Sequence, residues 1–487
     1  MPKPRLPLTT LLLATSALCA CEVGPNYHTP TAPTPTAYKQ IDGWTTAQPS
    51  DAADRADWWT VFNDPTLNDL EAKVAISNQN LAAAQAAYQQ ARALVSEQRA
   101  ALFPTITGTA SANVSGGGGG GTGGTITTGS GTVVGPSGGR GVSQAYRLEL
   151  GGTWEPDVWG RVRRSIENAK ANAQASYSDL VNARLSAQME LAADYITLRE
   201  LDEQKRYDDE TVKGYAQSLT VTENKFKVGN AAQSDVDQAE TTLHNEMAAD
   251  TALGQQRAVQ EDAIAILTGV PPASLDLPPA PWTLKPVDIP PGVPSTLLER
   301  RPDVAAAERQ AAAASAEIGV ATAGYYPDIS LTGSGGTDAS KIGQLFSPQS
   351  LAWRLGASAV ETIFNGGLTH AQVQAAKASY DQAVANYREA VLTAFDQVED
   401  NLAAQRVLAA EQPDLQASVN SADDALRITQ NEYAAGTVDY TSVVVAQAAA
   451  LNAHNAELQL EANRLTTTVD LVVALGGGWN ASELKTK

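Results

Sequence analysis

The 487-residue chain has only two cysteines, both within its first 21 residues, so everything beyond Cys21 must fold without a disulfide. Histidine is as scarce: His28, His244, His370 and His454 stand too far apart for metal-ligand spacing, and no nucleophile motif accompanies them. No metal site, cofactor or catalytic centre is therefore expected. After the first twenty residues there is no run of about eighteen apolar positions, which excludes helical membrane spans. Positive charge is short too, with 34 Lys and Arg against 54 Asp and Glu for a net −20, and this argues against nucleic acid as a partner.

What is present begins with an export signal over residues 1–20: Lys3 and Arg5, an apolar run through Leu18, then small residues before Cys21. Leu18-Cys19-Ala20-Cys21 resembles a bacterial lipoprotein box, in which cleavage precedes a cysteine that becomes lipid-modified, with Cys19 an unusual occupant of its position. The competing reading is ordinary signal cleavage with an incidental cysteine. Residues 21–60 are rich in proline, threonine and alanine and read as an extended arm.

The longest uninterrupted pattern runs from Gly160 to Gly229, with no proline and only Gly214 as an internal glycine. It predicts one helix over 160–228, roughly 100 Å long at 1.5 Å per residue. The pattern occurs twice. An offset of 207 carries Arg147, Leu148, Gly160, Lys170, Leu185, Gly229 and Gly269 onto Arg354, Leu355, Gly367, Lys377, Leu392, Gly436 and Gly476. Phe226 before Gly229 and Tyr433 before Gly436 mark equivalent helix ends with C-cap glycines, so each long helix turns back in a hairpin. Along the first helix, Val162, Ile166, Ala169, Ala173, Leu180, Ala183, Ala187, Leu191, Tyr195 and Leu198 form a coiled-coil-like seam.

The two repeats are bounded at 61–272 and 295–478, with a proline-rich linker at 273–294 and a tail at 479–487. The first is expected to hold a helix over 67–102, strands over 103–115 and 143–156, and helices over 160–228 and 231–268. The second is expected to hold a helix over 296–324, strands over 326–336 and 351–361, and helices over 367–435 and 438–475, with Pro413 kinking or briefly interrupting the long one. Residues 115–141, mostly glycine, threonine and serine, read as a flexible solvent loop. In the second strand Tyr146, Leu148, Leu150, Gly152 and Trp154 share one face, while Arg147, Glu149, Gly151 and Thr153 share the other, as a wall between lipid and water requires. Four strands are too few to close a barrel, so several copies must contribute; three would give twelve. A lipid-anchored periplasmic coiled coil, structural or adhesin-like, would share the helices but leave the strand pairs unexplained.

The chain resembles the outer-membrane factor family of TolC-like channels, in the lipoprotein branch that serves tripartite efflux pumps. The resembling stretches are Cys21 to Tyr27, Trp154 to Arg161, Arg300 to Val304, Phe364 to Gly367 and the two hairpin ends. The resemblance implies a homotrimer with a twelve-stranded barrel in the outer membrane of a Gram-negative bacterium, continuing into a twelve-helix periplasmic tunnel. It also implies a lipid anchor at Cys21, and a periplasmic adaptor and an inner-membrane transporter as partners. Docking would then fall on the tips, at Lys225, Phe226, Val228, Gly229 and Asn230 and at Glu432, Tyr433, Gly436 and Thr437. By position, Asp235 with Ser234 beside it matches an acidic gate site. The second hairpin departs from the family there: Val438 stands where some members are basic, Ser442 and Val445 where they are acidic, and Asp439 and Tyr440 are the nearest polar substitutes. The competing reading of Asp235 is a helix cap.

Overall fold

The computed structural model describes residues 22–35, 37–39, 57–116, 126–128, 131–133, 142–287 and 301–477. Cys21, the export signal, most of the glycine-rich loop, residues 288–300 and the tail beyond 477 lie outside the described residues. In chain order the elements are α1 (Pro65–Ser77), α2 (Gln79–Ala100), β1 (Thr105–Gly116), β2 (Ile126–Thr128), β3 (Gly131–Val133), β4 (Val142–Trp154), α3 (Arg161–Lys227) and α4 (Gln233–Leu267), followed by α5 (Pro302–Ala323), β5 (Asp328–Ala339), β6 (Leu351–Val360), α6 (Leu368–Ala435) and α7 (Tyr440–Ala474).

Three features differ from the sequence reading. The helix expected over 67–102 is two helices, because Asn78 leaves the helical conformation to cap the second. Its Oδ1 accepts from the Asn80 and Leu81 amides at 2.9 and 3.1 Å, and its Nδ2 donates to the Leu267 carbonyl at 2.9 Å. An asparagine side chain competes with the helical ladder in this way. Pro413 causes no interruption, since α6 runs through it as one 68-residue helix; the one missing donor is small against the turns on either side. Inside the glycine-rich loop, β2 and β3 pair as a short antiparallel ribbon.

The chain divides into two compact units. The first holds the sheet, of order β1-β4-β5-β6, antiparallel throughout. Register places Ile106, Gly152, Gly333 and Leu355 in one row and Gly108, Leu150, Gly335 and Trp353 in the next on the same face. The alternate rows hold Thr107, Gly151, Ser334 and Arg354, then Thr109, Glu149, Gly336 and Ala352. One face is thus apolar and exposed, with Ile106, Leu150, Trp353 and Leu355 each at least 66% accessible, and the other is polar. Among the described residues β1 and β6 have no further strand partner and form the edges. In the same unit, residues 22–28 lie along the start of α3: the Val23 amide donates to the Trp159 carbonyl, and the buried Arg164 guanidinium donates to the Val23 and Gly24 carbonyls and to Asn26 Oδ1.

The second unit is built around a core of Trp58, Trp59, Leu67, Leu70, Leu191, Tyr195, Leu198, Ile264 and Leu465. Pro65 opens α1 at its first position, and Asp64 caps it by accepting from Thr66 and Leu67. The Tyr195 hydroxyl donates to the other Asp64 oxygen at 2.8 Å, which ties the cap to α3. The linker after α4 is strapped by charge: Asp202 bonds Arg199, Arg257 and the Ala280 amide, and Arg257 also reaches the Leu277 carbonyl. In this core Glu71 is fully buried and neither carboxylate oxygen has a hydrogen-bond partner among the described residues. Burial pushes its carboxyl up to about 9, only partly offset by Arg184.

The folded protein therefore holds a proton at Glu71 that the unfolded chain releases near 4.5. The resulting stability is complete below that value and is lost as pH rises toward about 9, by up to about 1.4 kcal/mol per pH unit. Thermal melts of Glu71→Gln between about pH 7 and 9 should show a flatter slope than those of the parent. An identical slope would contradict a neutral Glu71.

Candidate functional site

The two hairpin tips lie in the second unit and are built alike. α3 ends at Gly229 in the left-handed region, φ 76°, with the Asn230 amide donating to the Lys225 carbonyl and the Gly229 amide to that of Phe226. α6 ends at Gly436, φ 80°, with Thr437 donating to Glu432 and Gly436 to Tyr433. Both are Schellman ends, which satisfy two orphan carbonyls and need a residue without Cβ strain. The same bond pairs recur at Gly269 and Gly476, so the repeat reaches down to individual hydrogen bonds.

The returning helices are capped from opposite directions. At α4, Asp235 reaches back and its Oδ2 accepts from the Ala232 amide at 3.0 Å. Ala232 has no side chain that can reciprocate, so only half of a capping box forms. At α7, Asp439 is the N-cap, and its Oδ1 accepts from the Ser442 amide at 2.9 Å and hydroxyl at 2.7 Å. These bonds from Ser442 hold the Asp439 carboxyl below its ordinary value. The offset of 207 makes Ala232 equivalent to Asp439 and Asp235 to Ser442. The acid has changed position between the repeats while the capping bond is kept.

The hairpins meet through Tyr433, Tyr440, Ala239 and Val443, with Leu219, Val221 and Val438 packed around them. The Tyr433 hydroxyl shares a buried 2.7 Å hydrogen bond with Thr222. The Lys225 ammonium sits 3.6 Å from the centre of the Tyr433 ring and donates to the Tyr433 carbonyl. One side chain thus ties the last turn of α3 to the last turn of α6. The Tyr440 ring lies 5.9 Å from that of Tyr433. Its hydroxyl is buried without a hydrogen-bond partner among the described residues, and burial, followed by the nearby Tyr215 and Tyr433, pushes it up to about 12. Gly214, the lone glycine inside α3, is a point of close approach: a Cβ there would stand 3.0 Å from Gln447 Nε2.

Among the expected gate residues, Ser234 and Asp439 are exposed, Asp235, Val438 and Ser442 half-buried, and Tyr440 buried between the hairpins. Among the expected docking residues, Phe226 and Val228 present apolar surface, 42% and 71% accessible, beside exposed Gly229, Asn230, Glu432, Gly436 and Thr437. Lys225 and Tyr433 instead face each other. Sequence reasoning passed over Thr222, Ala239 and Val443, which read only as ordinary helix residues. Among the described residues no group of three or more His, Cys, Asp and Glu could hold a metal ion. His454 stacks on Tyr207 at 4.7 Å and lies 3.0 Å from Asp423. No described helix is long and apolar enough to cross a membrane.

The profile of the family described as outer membrane efflux protein matches residues 72–270 and 293–477. The probable efflux pump outer membrane protein TtgC of Pseudomonas putida is 31% identical over 490 residues, covering 97% of this chain and 96% of that protein. Outer membrane protein OprJ of Pseudomonas aeruginosa is 30% identical, covering 99% and 97%. Among solved structures, the outer-membrane channel OprN superposes with a TM-score of 0.84 at 30% identity, over 94% of this chain and 100% of that one. The open state of the Neisseria gonorrhoeae MtrE channel gives 0.82 at 27%, over 95% and 99%.

Asp235→Ala and Asp439→Ala should each loosen the first turn of the helix it caps. Amide exchange should quicken several-fold at residues 233–236 in the first variant and at 440–443 in the second. Equal protection in variant and parent would show that the carboxylates do not serve as caps.

Proposed function

The chain belongs to the outer membrane efflux protein family, and from that membership we infer that it is the outer-membrane exit duct of a tripartite efflux pump, conducting small molecules passively outward. The sheet supports this reading. Its apolar face suits lipid, its polar face suits a water-filled lumen, and its two unpaired edges, β1 and β6, must find partners on other copies. Three chains supply the twelve strands of one barrel. Exposed Phe103, Trp154, Tyr325 and Tyr326 mark the helix end of the strands, and Phe346 and Trp353 the loop end, as interfacial aromatics do in membrane barrels.

The pump's adaptor and inner-membrane transporter are the partners. The hairpin tips are the docking surface, with Phe226 and Val228 as its apolar contacts. Lipid at Cys21 holds the arm at the outer membrane. For the gate, Asp235 and Asp439 are already engaged as caps, so closure rests on the contact between the hairpins: Lys225 against Tyr433, the Thr222–Tyr433 bond, and the apolar packing of Val438 and Tyr440.

Lys225→Met with Tyr433→Ala removes both halves of that contact. Trimers carrying the pair should conduct more in planar bilayers, and cells should admit bulky antibiotics more readily. Conductance equal to the parent's would remove the gate from this contact and leave the duct reading in place.

A further inference from the structure

Beside the offset of 207, a second offset of 223 carries Pro104, Ile106, Thr109 and Ser111 onto Pro327, Ile329, Thr332 and Ser334. The two offsets relate the strands to the single residue. Applied to β1 and β4, they turn the opposed pair Thr105–Thr153 into Asp328–Val360, and those two residues are opposed in the β5–β6 ladder. The hairpin of the second repeat therefore keeps the register of the first. Between the hairpins runs a different joint, β4 against β5, where the first repeat meets the second. In a ring of copies the repeats alternate, so β6 of one chain meets β1 of the next as β4 meets β5 within a chain.

Carried by the same offsets, the β4–β5 register fixes that outer joint. Gly151–Ser334 becomes Ser358–Ser111, and Leu148–Thr337 becomes Leu355–Val114. The two faces of the sheet agree with this pairing. Leu355 and Val114 both lie on the apolar, exposed face, whereas a slip of one residue would set Leu355 opposite Asn113 or Ser115 in the polar rows.

The inner joint is locked at its helix end. Trp159, just before α3, stacks on Tyr326, just before β5, at 4.9 Å and donates to the Pro327 carbonyl at 2.8 Å. The Arg161 guanidinium lies 3.7 Å from the Asp328 carboxylate. At the outer joint the offsets put Phe103 for Tyr326, Pro104 for Pro327, Thr105 for Asp328 and Leu368 for Arg161. Trp159 falls on Gly366, which is in the left-handed region at φ 64°, and a Cβ there would meet nothing within 4 Å among the described residues. The aromatic on this side is Phe364, two residues earlier. Ile363 and Phe364 are each 89% accessible and Leu368 58%, and Phe103 at the opposite edge is 69% accessible. An apolar group thus replaces the ion pair of the inner joint, and on a single chain both of its halves are bare.

We propose that Phe364, flanked by Ile363 and Leu368, seats on Phe103 of the next copy, and that this apolar seat locks the β6–β1 joint in the register that sets Ser358 opposite Ser111. The seat rests on the shared-barrel reading. Tyr326 stays 40% accessible while stacked on Trp159, and Phe103 in the seat likewise keeps an edge toward the membrane interface.

Cysteine pairs read the register in the full-length protein in outer membranes. Opposed Cα atoms in a sheet stand about 4.5–5.5 Å apart, within reach of a disulfide, and a residue two places along lies about 7–8 Å away. Under mild oxidation, Ser358→Cys with Ser111→Cys should give covalent dimers and trimers on boiled, non-reduced gels. Ser358→Cys with Thr109→Cys or with Asn113→Cys, and the parent with Cys21 alone, should run as single chains. Preferential cross-linking of either slipped pair overturns the register and leaves the trimer standing; cross-linking of no pair removes the shared barrel as well. Phe103→Ala and Phe364→Ala should each lower the temperature at which unboiled trimers separate, and the double variant should lose no more than the worse single one. Losses that add would give the two rings separate contacts with lipid and overturn the seat.

Discussion

The structure depends on one constraint: in hydrocarbon a backbone amide or carbonyl without a hydrogen-bond partner is too costly to leave exposed. A four-stranded sheet with an apolar outer face satisfies it only when β1 of one copy pairs with β6 of the next. Much else follows. The apolar face with Ile106, Leu150 and Leu355 needs lipid, the hydroxyl-bearing face needs water, and the chain needs copies of itself to complete its fold. Without disulfides, stability must come from packing within the helical unit and from pairing between copies.

Duplication supplies the rest. Four helix ends at Gly229, Gly269, Gly436 and Gly476 share one hydrogen-bond pattern, so the two repeats turn at equivalent places. Between those fixed turns the repeats have diverged in how they meet one job. The capping carboxylate stands at Asp235 in one and at Asp439 in the other, and the aromatic that joins the hairpins, Tyr433, has Phe226 as its exposed counterpart. The asymmetry places an apolar surface on one tip and a buried anchor on the other.

What could be read from the sequence was set by local physics. Glycine in the left-handed region ends a helix wherever it stands, so the hairpin ends at Gly229 and Gly436 were legible, and period-two alternation exposed the two faces of β4. The break at Asn78 was not, because an asparagine caps or continues a helix according to its tertiary partner, here the Leu267 carbonyl. At Pro413 the expected interruption does not occur, since a long helix absorbs one missing donor. The reading of Tyr440 and Asp439 as polar gate substitutes rested on position alone. Only the fold shows Tyr440 buried with Val443 and Asp439 bonded to Ser442. The link from Lys225 to Tyr433 joins residues 208 apart, and no spacing rule announces it.

The central claim is that the barrel is shared. Native mass measurement of the mature protein, extracted in detergent without heating, tests it most directly. Three chains in one particle, each somewhat lighter than the 51.0 kDa of the full sequence and collapsing to single chains only on boiling, is the predicted result. A folded, membrane-inserted single chain would contradict it.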